Sequence, residues 1–240
     1  MPDEAVISVD RVALVTGVGP GLGAAIARRF ARKGFSLALI ARSPHFIDQL
    51  AKELPSALPV TADVTKPADI TSAIKEVRKE LGVISVLIHN ASSAGGNGVI
   101  DTTPKQFEQS WRATALGAFI CARETAPDMI EAGAGAMLFT GATSSVRGGG
   151  RLAFSSAKFA LRGFVQSAAR ELWPKGIHVA HVLVDGIIAS DQTGRATGNE
   201  TRTHLDPDEI AEAYWYLANQ PRSAWTLELD LRPNGEEFFT

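Results

Sequence analysis

Between Val15 and Gly23 the chain reads Val-Thr-Gly-Val-Gly-Pro-Gly-Leu-Gly, an apolar run that ends in glycines and opens into an amphipathic stretch. Phosphate oxygens are held by backbone N–H groups that approach closely, and only glycine leaves no Cβ in the way. A helix beginning at Leu22 adds the positive end of its dipole. Thr16, Gly17, Gly19, Gly21, Leu22 and Gly23 are therefore candidate contacts to a pyrophosphate. The spacing is T-G-x-x-x-G-x-G; it is not G-x-G-x-x-G, whose last glycine position is taken by Leu22. A glycine-rich turn without a ligand has the same composition, but the order of apolar run, turn and amphipathic stretch favours phosphate.

Such a loop needs a strand to end on and a helix to open. Short apolar runs at residues 12–16, 37–41, 58–62, 86–89, 137–140, 178–184 and 225–230 predict strands. Helical spacing at residues 22–33, 46–54, 67–81, 104–132, 152–173 and 207–219 fills the gaps. Parallel strands require crossovers, so this alternation predicts an α/β fold: a doubly wound, mostly parallel sheet of about seven strands flanked by helices, the Rossmann arrangement. No repeat, low-complexity tract or linker divides it, and residues 1–240 read as a single domain. Two helix starts are locally explained. Thr103-Pro104-Lys105-Gln106 has the residues of a capping box, and Asp206-Pro207-Asp208-Glu209 sets carboxylates at a positive dipole end. Leu161, Phe164, Val165, Ala168 and Leu172 form an apolar stripe that faces either the sheet or another subunit.

Composition narrows the partners. The 240 residues are enough for one full-sized core, and 45% hydrophobic content is ordinary for a globular chain. The formal charge is −2, with 24 basic and 26 acidic side chains interspersed, so no face advertises nucleic acid. The single Cys121 has no disulfide partner, which suits a reducing compartment. Met1-Pro2-Asp3-Glu4 does not open a signal peptide, and no apolar stretch approaches bilayer length. The expectation is a soluble cytoplasmic protein with no membrane partner. His178, His181 and His204 show no metal-ligand spacing, and the first two alternate with apolar residues along a strand. They are expected to be structural, and no metal site is expected.

With the glycine loop in place, three further stretches follow in order: Ala62-Asp63-Val64 and His89-Asn90-Ala91-Ser92 at the ends of predicted strands, and Leu152-Ala153-Phe154-Ser155-Ser156-Ala157-Lys158 at the start of a predicted helix. Together they resemble the short-chain dehydrogenases/reductases over nearly the whole chain. The resemblance implies a single NAD(P)-binding Rossmann domain, with Asp63 and Val64 at the adenine and Asn90 and Ala91 at the turn after the fourth strand. It also places Lys158, Gly186 and Ile187 at the nicotinamide end. Gly186 belongs to Asp185-Gly186, which stands where the family has Pro-Gly; Asp185 either binds or caps a turn. Arg42, with Ser43 beside it, ends the second strand where an NAD site offers a carboxylate. A guanidinium forks onto phosphate oxygens, so NADP(H) is favoured over NAD(H).

The resemblance also implies carbonyl/alcohol oxidoreduction of a small molecule, in which a tyrosine donates the proton. Here Phe154 occupies that tyrosine position and has no proton to give. Lys158 matches the family lysine, Thr114 falls on the position of an asparagine that helps place a proton-relay water, and Ser144 or its rival Thr143 stands for the carbonyl-polarising serine. Holding the ribose hydroxyls needs no tyrosine, so lysine retention supports cofactor binding better than it supports turnover. Two functions therefore stand: an oxidoreductase with an atypical site, and a catalytically lapsed nucleotide-binding protein. The resemblance further implies a homodimer or homotetramer. Phe154, Trp111 and Phe107 hint at an apolar pocket, and the polar stretch 189–206 reads as a flap over it.

Overall fold

Every residue of β1 (Val12–Thr16) is buried, as befits a parallel strand covered by helices on both faces. The computed structural model, which describes residues 11–189 and 204–235, places β1 between β2 (Ser36–Ala41) and β4 (Ile84–His89). With β3 (Ala57–Thr61), β5 (Gly135–Thr140), β6 (Ile177–Val184) and β7 (Glu228–Leu231), the order is β3-β2-β1-β4-β5-β6-β7. Every neighbouring pair is parallel, as the alternation predicts. The order reverses between β1 and β4, and a crevice opens there at the carboxyl ends of the strands.

Helices α1 (Leu22–Arg32), α2 (Pro44–Glu53) and α7 (Pro207–Ala218) cover one face, burying Ile26, Phe30, Ile47 and Tyr214. The other face carries α3 (Pro67–Glu80), α5 (Gly117–Ala132) and α6 (Leu152–Leu172), with α4 (Pro104–Trp111) leading into α5. Of the two readings of the stripe on α6, the sheet is the one found. Leu161, Val165, Ala168 and Leu172 are buried in this core, and Phe164 stands edge-on to Phe139 at 5.6 Å. Both expected helix starts are capped: Thr103 and Gln106 exchange the two bonds of a capping box, and the Asp206 carboxylate accepts from Asp208 N–H.

Of the boundaries that differ from expectation, three have identifiable reasons. The single helix expected over 104–132 is interrupted by a π-helical turn, Arg112–Leu116, between α4 and α5. The last strand begins at Glu228 and not at residue 225, because Trp225 stacks on His178 with ring centroids 5.0 Å apart and 8° between planes. That aromatic contact takes the Trp225 side chain out of the strand pattern. Helix α2 starts at Pro44, two residues early, since proline suits the first helical turn. Most of the stretch read as a flap, residues 190–203, lies outside the described residues. Its ends meet, with Ile188 and Leu205 paired in an isolated parallel bridge. Among the described residues no helix is long and apolar enough to cross a membrane.

Candidate active site

The glycine loop is shaped by its neighbours. Gly17 has φ +70°, and a Cβ there would come within 2.6 Å of the Ala91 backbone; both facts demand glycine. Asn90 secures the contact by donating from Nδ2 to the Gly17 carbonyl at 3.1 Å. A Cβ on Gly23 would collide with the Gly17 carbonyl at 2.8 Å, so this glycine lets α1 pack against the loop. Gly19 and Gly21 are different, because a Cβ on either meets nothing within 4 Å. Packing inside the protein does not require them, whereas close approach of a ligand would. Helix α1 begins at Gly21 without a side-chain cap, which leaves its first N–H groups for an anion. Thr16 lies beneath the loop, fully buried, its hydroxyl 3.0 Å from His89 Nδ1.

Two clefts open above the switch point and share Asn90 and Ser92. The first, about 740 Å³, is lined by Gly17, Arg42, Ser43, Asp63, Val64 and Ala91, all of them positions at which the sequence suggests cofactor contacts. It also takes Phe46, Lys105 and Arg112, which the sequence reading missed. Arg112 sits in the π-helical turn, and no short motif announces it. Burial pushes the Asp63 carboxyl up, but hydrogen bonds from Thr65 and the charges of Arg42 and Lys66 outweigh it and hold it below the usual range. Arg42 thus stands close to a carboxylate at the outer end of this cleft.

The second cleft, about 580 Å³, collects Gly21, Leu22, Thr143, Ser144, Phe154, Lys158 and Gly186. Lys158 is 2% exposed and donates from Nζ to the Thr140 carbonyl at 2.6 Å, with the Phe154 ring 5.5 Å from Nζ. A buried ammonium loses hydration, which favours the neutral amine. That desolvation pushes Lys158 down to about 7. Near neutral pH the group is therefore divided between ammonium and amine. Ser155, on the same helix, donates to Ser144 Oγ at 3.3 Å. Thr143 and Ser144 both face the cleft, so the two candidates for the polarising hydroxyl remain side by side.

The remaining sequence-derived positions fall around this cleft without lining it. Thr114 is fully buried in the π-helical turn, and its hydroxyl has no hydrogen-bond partner. Such turns recur where a helix bends around a functional site. Ile187 is 42% exposed, and its neighbour Ile188 lines the cleft in its place. Asp185 does not reach the cleft; it is 4% exposed and ion-paired with Arg232, tying the turn after β6 to the chain beyond β7. Trp111 and Phe107 are 40% and 39% exposed on α4, outside both clefts. Among the described residues no group of histidine, cysteine and carboxylate side chains is placed to hold a metal.

A parallel sheet whose switch-point crevice joins a glycine loop to a buried lysine defines a dinucleotide-binding protein. The short chain dehydrogenase family model matches residues 11–200, and the chain belongs to that family of NAD(P)-binding oxidoreductases. A short-chain dehydrogenase/reductase of Armillaria gallica is 33% identical over 181 residues, 72% of this chain and 69% of that one. Among solved structures, a short-chain dehydrogenase from Rhodopseudomonas palustris is 33% identical with a TM-score of 0.82, covering 94% of this chain and 99% of that one. An alcohol dehydrogenase from Thermococcus sibiricus, complexed with 5-hydroxy-NADP, is 26% identical with a TM-score of 0.86, covering 96% and 99%.

Proposed function

We propose that the protein is an NADP(H)-dependent carbonyl/alcohol oxidoreductase whose site works around Lys158 without a tyrosine. The observation that carries this is the lysine itself, desolvated and anchored on the Thr140 carbonyl at the wall of the second cleft. When bound, the nicotinamide supplies the hydride. Lys158 holds the ribose hydroxyls as an ammonium and is the proton reservoir of the site. Ser144, with Ser155 behind it, polarises the carbonyl oxygen and passes it the proton, and Thr143 is the neighbouring hydroxyl for the same task. Phe154 closes the apolar side of the cleft. The whole chain acts as one NAD(P)-binding unit, and a reducing, cytoplasmic setting suits its single buried Cys121. Phe119 and Phe159, each 44% exposed on α5 and α6, support assembly into a homodimer or homotetramer.

Arg42, Lys105 and Arg112 outnumber the acids of the first cleft, Asp63 and the Glu108 that pairs with Arg112, which supports a 2′-phosphate and hence NADP(H) over NAD(H). The complex of the Thermococcus relative points the same way. Calorimetric titration with NADPH and NADH tests this. NADPH should bind more tightly, and Arg42→Ala should weaken NADPH by roughly 10–100-fold, the value of charge-assisted bonds to phosphate, while leaving NADH nearly unchanged. Equal affinities that ignore Arg42→Ala would refute the preference. Phe154 favours a second reading, a nucleotide-binding protein that has lost turnover; it requires the same cofactor and predicts no reduction of any carbonyl.

A further inference from the structure

Two histidines stand on either side of the Lys158 anchor. His89, Phe139 and His181 are in register across β4, β5 and β6. Both histidines are 1% exposed, and each leaves Nε2 without a hydrogen-bond partner. Their other nitrogens differ in a telling way. His89 Nδ1 meets a threonine hydroxyl, whereas His181 Nδ1 lies 3.2 Å from Glu228 Oε2. Glu228 is held in turn by Arg162, which donates from Nε at 2.7 Å and from Nη2 at 2.8 Å. A carboxylate that receives a fork of two bonds on one side and an imidazole on the other fixes the ring in one orientation.

That orientation presses Nε2 against the backbone next to the anchor. A Cβ on Gly141 would lie 2.2 Å from His181 Nε2 and 2.4 Å from Cε1, so the ring occupies the space a side chain would need. Gly141 follows Thr140, whose carbonyl accepts the Lys158 proton at 2.6 Å. It also opens the loop in which Ser145 Oγ accepts from Ala142 N–H at 3.2 Å. We propose that His181, clamped by Glu228, is a positioning residue for Lys158: its ring braces Gly141, holds the Thr140 carbonyl in place and seals the lysine from water. The glycine at 141 and the histidine at 181 are on this view one feature, a ring that fits only where a side chain is missing.

The charged and titratable groups around the two side chains fit this role. His89 on β4 and His181 on β6 face Lys158; Glu228 on β7 and Arg162 on α6 face His181. Burial above all pushes His181 down to about 4; the Lys158 and Arg162 charges act in the same direction, and Glu228 acts against them. The ring is therefore neutral at neutral pH, with its hydrogen on Nδ1 toward Glu228. A neutral brace excludes water from Lys158 without adding a like charge beside it.

The proposal is tested on the full chain without any substrate, by following the Lys158 side chain through a pH titration by NMR. Wild type, His181→Ala, Glu228→Gln and Glu228→Leu are compared, with thermal stability and the pH dependence of NADPH affinity measured alongside. In wild type Lys158 should titrate near 7. Water admitted by His181→Ala should raise that midpoint by about one pH unit or more. Glu228→Gln keeps an acceptor for the Nδ1 hydrogen and should behave as wild type; Glu228→Leu should follow His181→Ala. If His181→Ala does not fold, the two Glu228 variants, which keep the imidazole and alter only its clamp, carry the test. A Lys158 midpoint unmoved in His181→Ala and Glu228→Leu, with only stability lowered, would make the ring a core filler and overturn the proposal. NADPH that fails to bind wild type would count against the cofactor reading alone, since the Lys158 titration is read on the free protein.

Discussion

Phe154→Tyr supplies the hydroxyl that Phe154 lacks at the position of the family's proton donor, and its effect can be sized. The Phe154 ring centroid lies 5.5 Å from Lys158 Nζ, and the ring is half-buried at the wall of the second cleft. With Nζ over the ring, a phenolic oxygen at its edge lies about 6 Å from the ammonium. At an effective dielectric of about 20 the attraction is about 3 kcal/mol, equivalent to roughly two pKa units. Because Lys158 itself is pushed down to about 7, the lysine gives up its proton first and the pair titrates as one unit, so a tyrosine at 154 keeps its proton at neutral pH and is a competent donor. A positioned general acid contributes 10²–10⁴ in rate, about 3–5 kcal/mol. Initial rates of NADPH oxidation are the assay, run on an α-diketone, a β-ketoester, a β-ketoacyl thioester and a 3-oxosteroid, for both proteins at saturating NADPH. The expected outcome is a gain of about 100-fold or more in kcat on at least one carbonyl, with NADPH affinity unchanged. A folded Phe154→Tyr protein that binds NADPH normally, yet reduces nothing faster than wild type, would show that the missing hydroxyl is not what limits this site. The reading as a lapsed binder would then be the better one.

Two further outcomes follow from the geometry. Desolvation moves Lys158 from 10.5 in the unfolded chain to about 7 when folded. Between those values the unfolded state binds more protons, so stability rises with pH across that window and the penalty is complete below 7. Lys158→Met should therefore be more stable than wild type, by up to about 5 kcal/mol below pH 7 and with no advantage above pH 10.5, as read from denaturant midpoints across pH. A stability difference independent of pH would contradict the buried lysine. For assembly, light scattering should find wild type as a dimer or tetramer, and Phe119→Glu with Phe159→Glu as a monomer; a monomeric wild type would sink the interface on α5 and α6.

Much of this was legible in the chain because local rules governed it. The glycine loop could be read because Gly17 and Gly23 answer to backbone contacts that no other residue tolerates, and the seven strands because buried parallel strands are continuous apolar runs. What escaped had long-range causes. The π-helical turn at Arg112–Leu116 has no residue signature of its own, so residues 104–132 read as one regular helix. Asp185 looked like an oddity since its partner, Arg232, lies beyond the next strand. Ile187 and Ile188 are both apolar, and only the bridge between Ile188 and Leu205 decides which of them turns to the cleft. His181 alternated with apolar neighbours as a structural strand residue does; its link to Glu228 and its contact with Gly141 join three strands that no local pattern connects.

The two functional readings make different demands on Lys158, and the structure bears on the choice. A protein that only holds nicotinamide ribose hydroxyls needs an ammonium that stays charged. A partly exposed lysine with a nearby carboxylate would supply that at little cost, since an opposite charge raises its pKa. Here the lysine is 2% exposed, its partner is a neutral carbonyl, and the two histidines that face it are pushed down to about 3 and about 4. Burial is what makes the proton easier to lose, and the two neutral histidines leave that effect unopposed by any negative charge of their own. A site without a tyrosine needs that lability if it is to deliver a proton near neutral pH, because the best general acid has a pKa close to the working pH. On the proposed reading, the burial of Lys158 is thus the argument for turnover, set against the doubt that Phe154 raises.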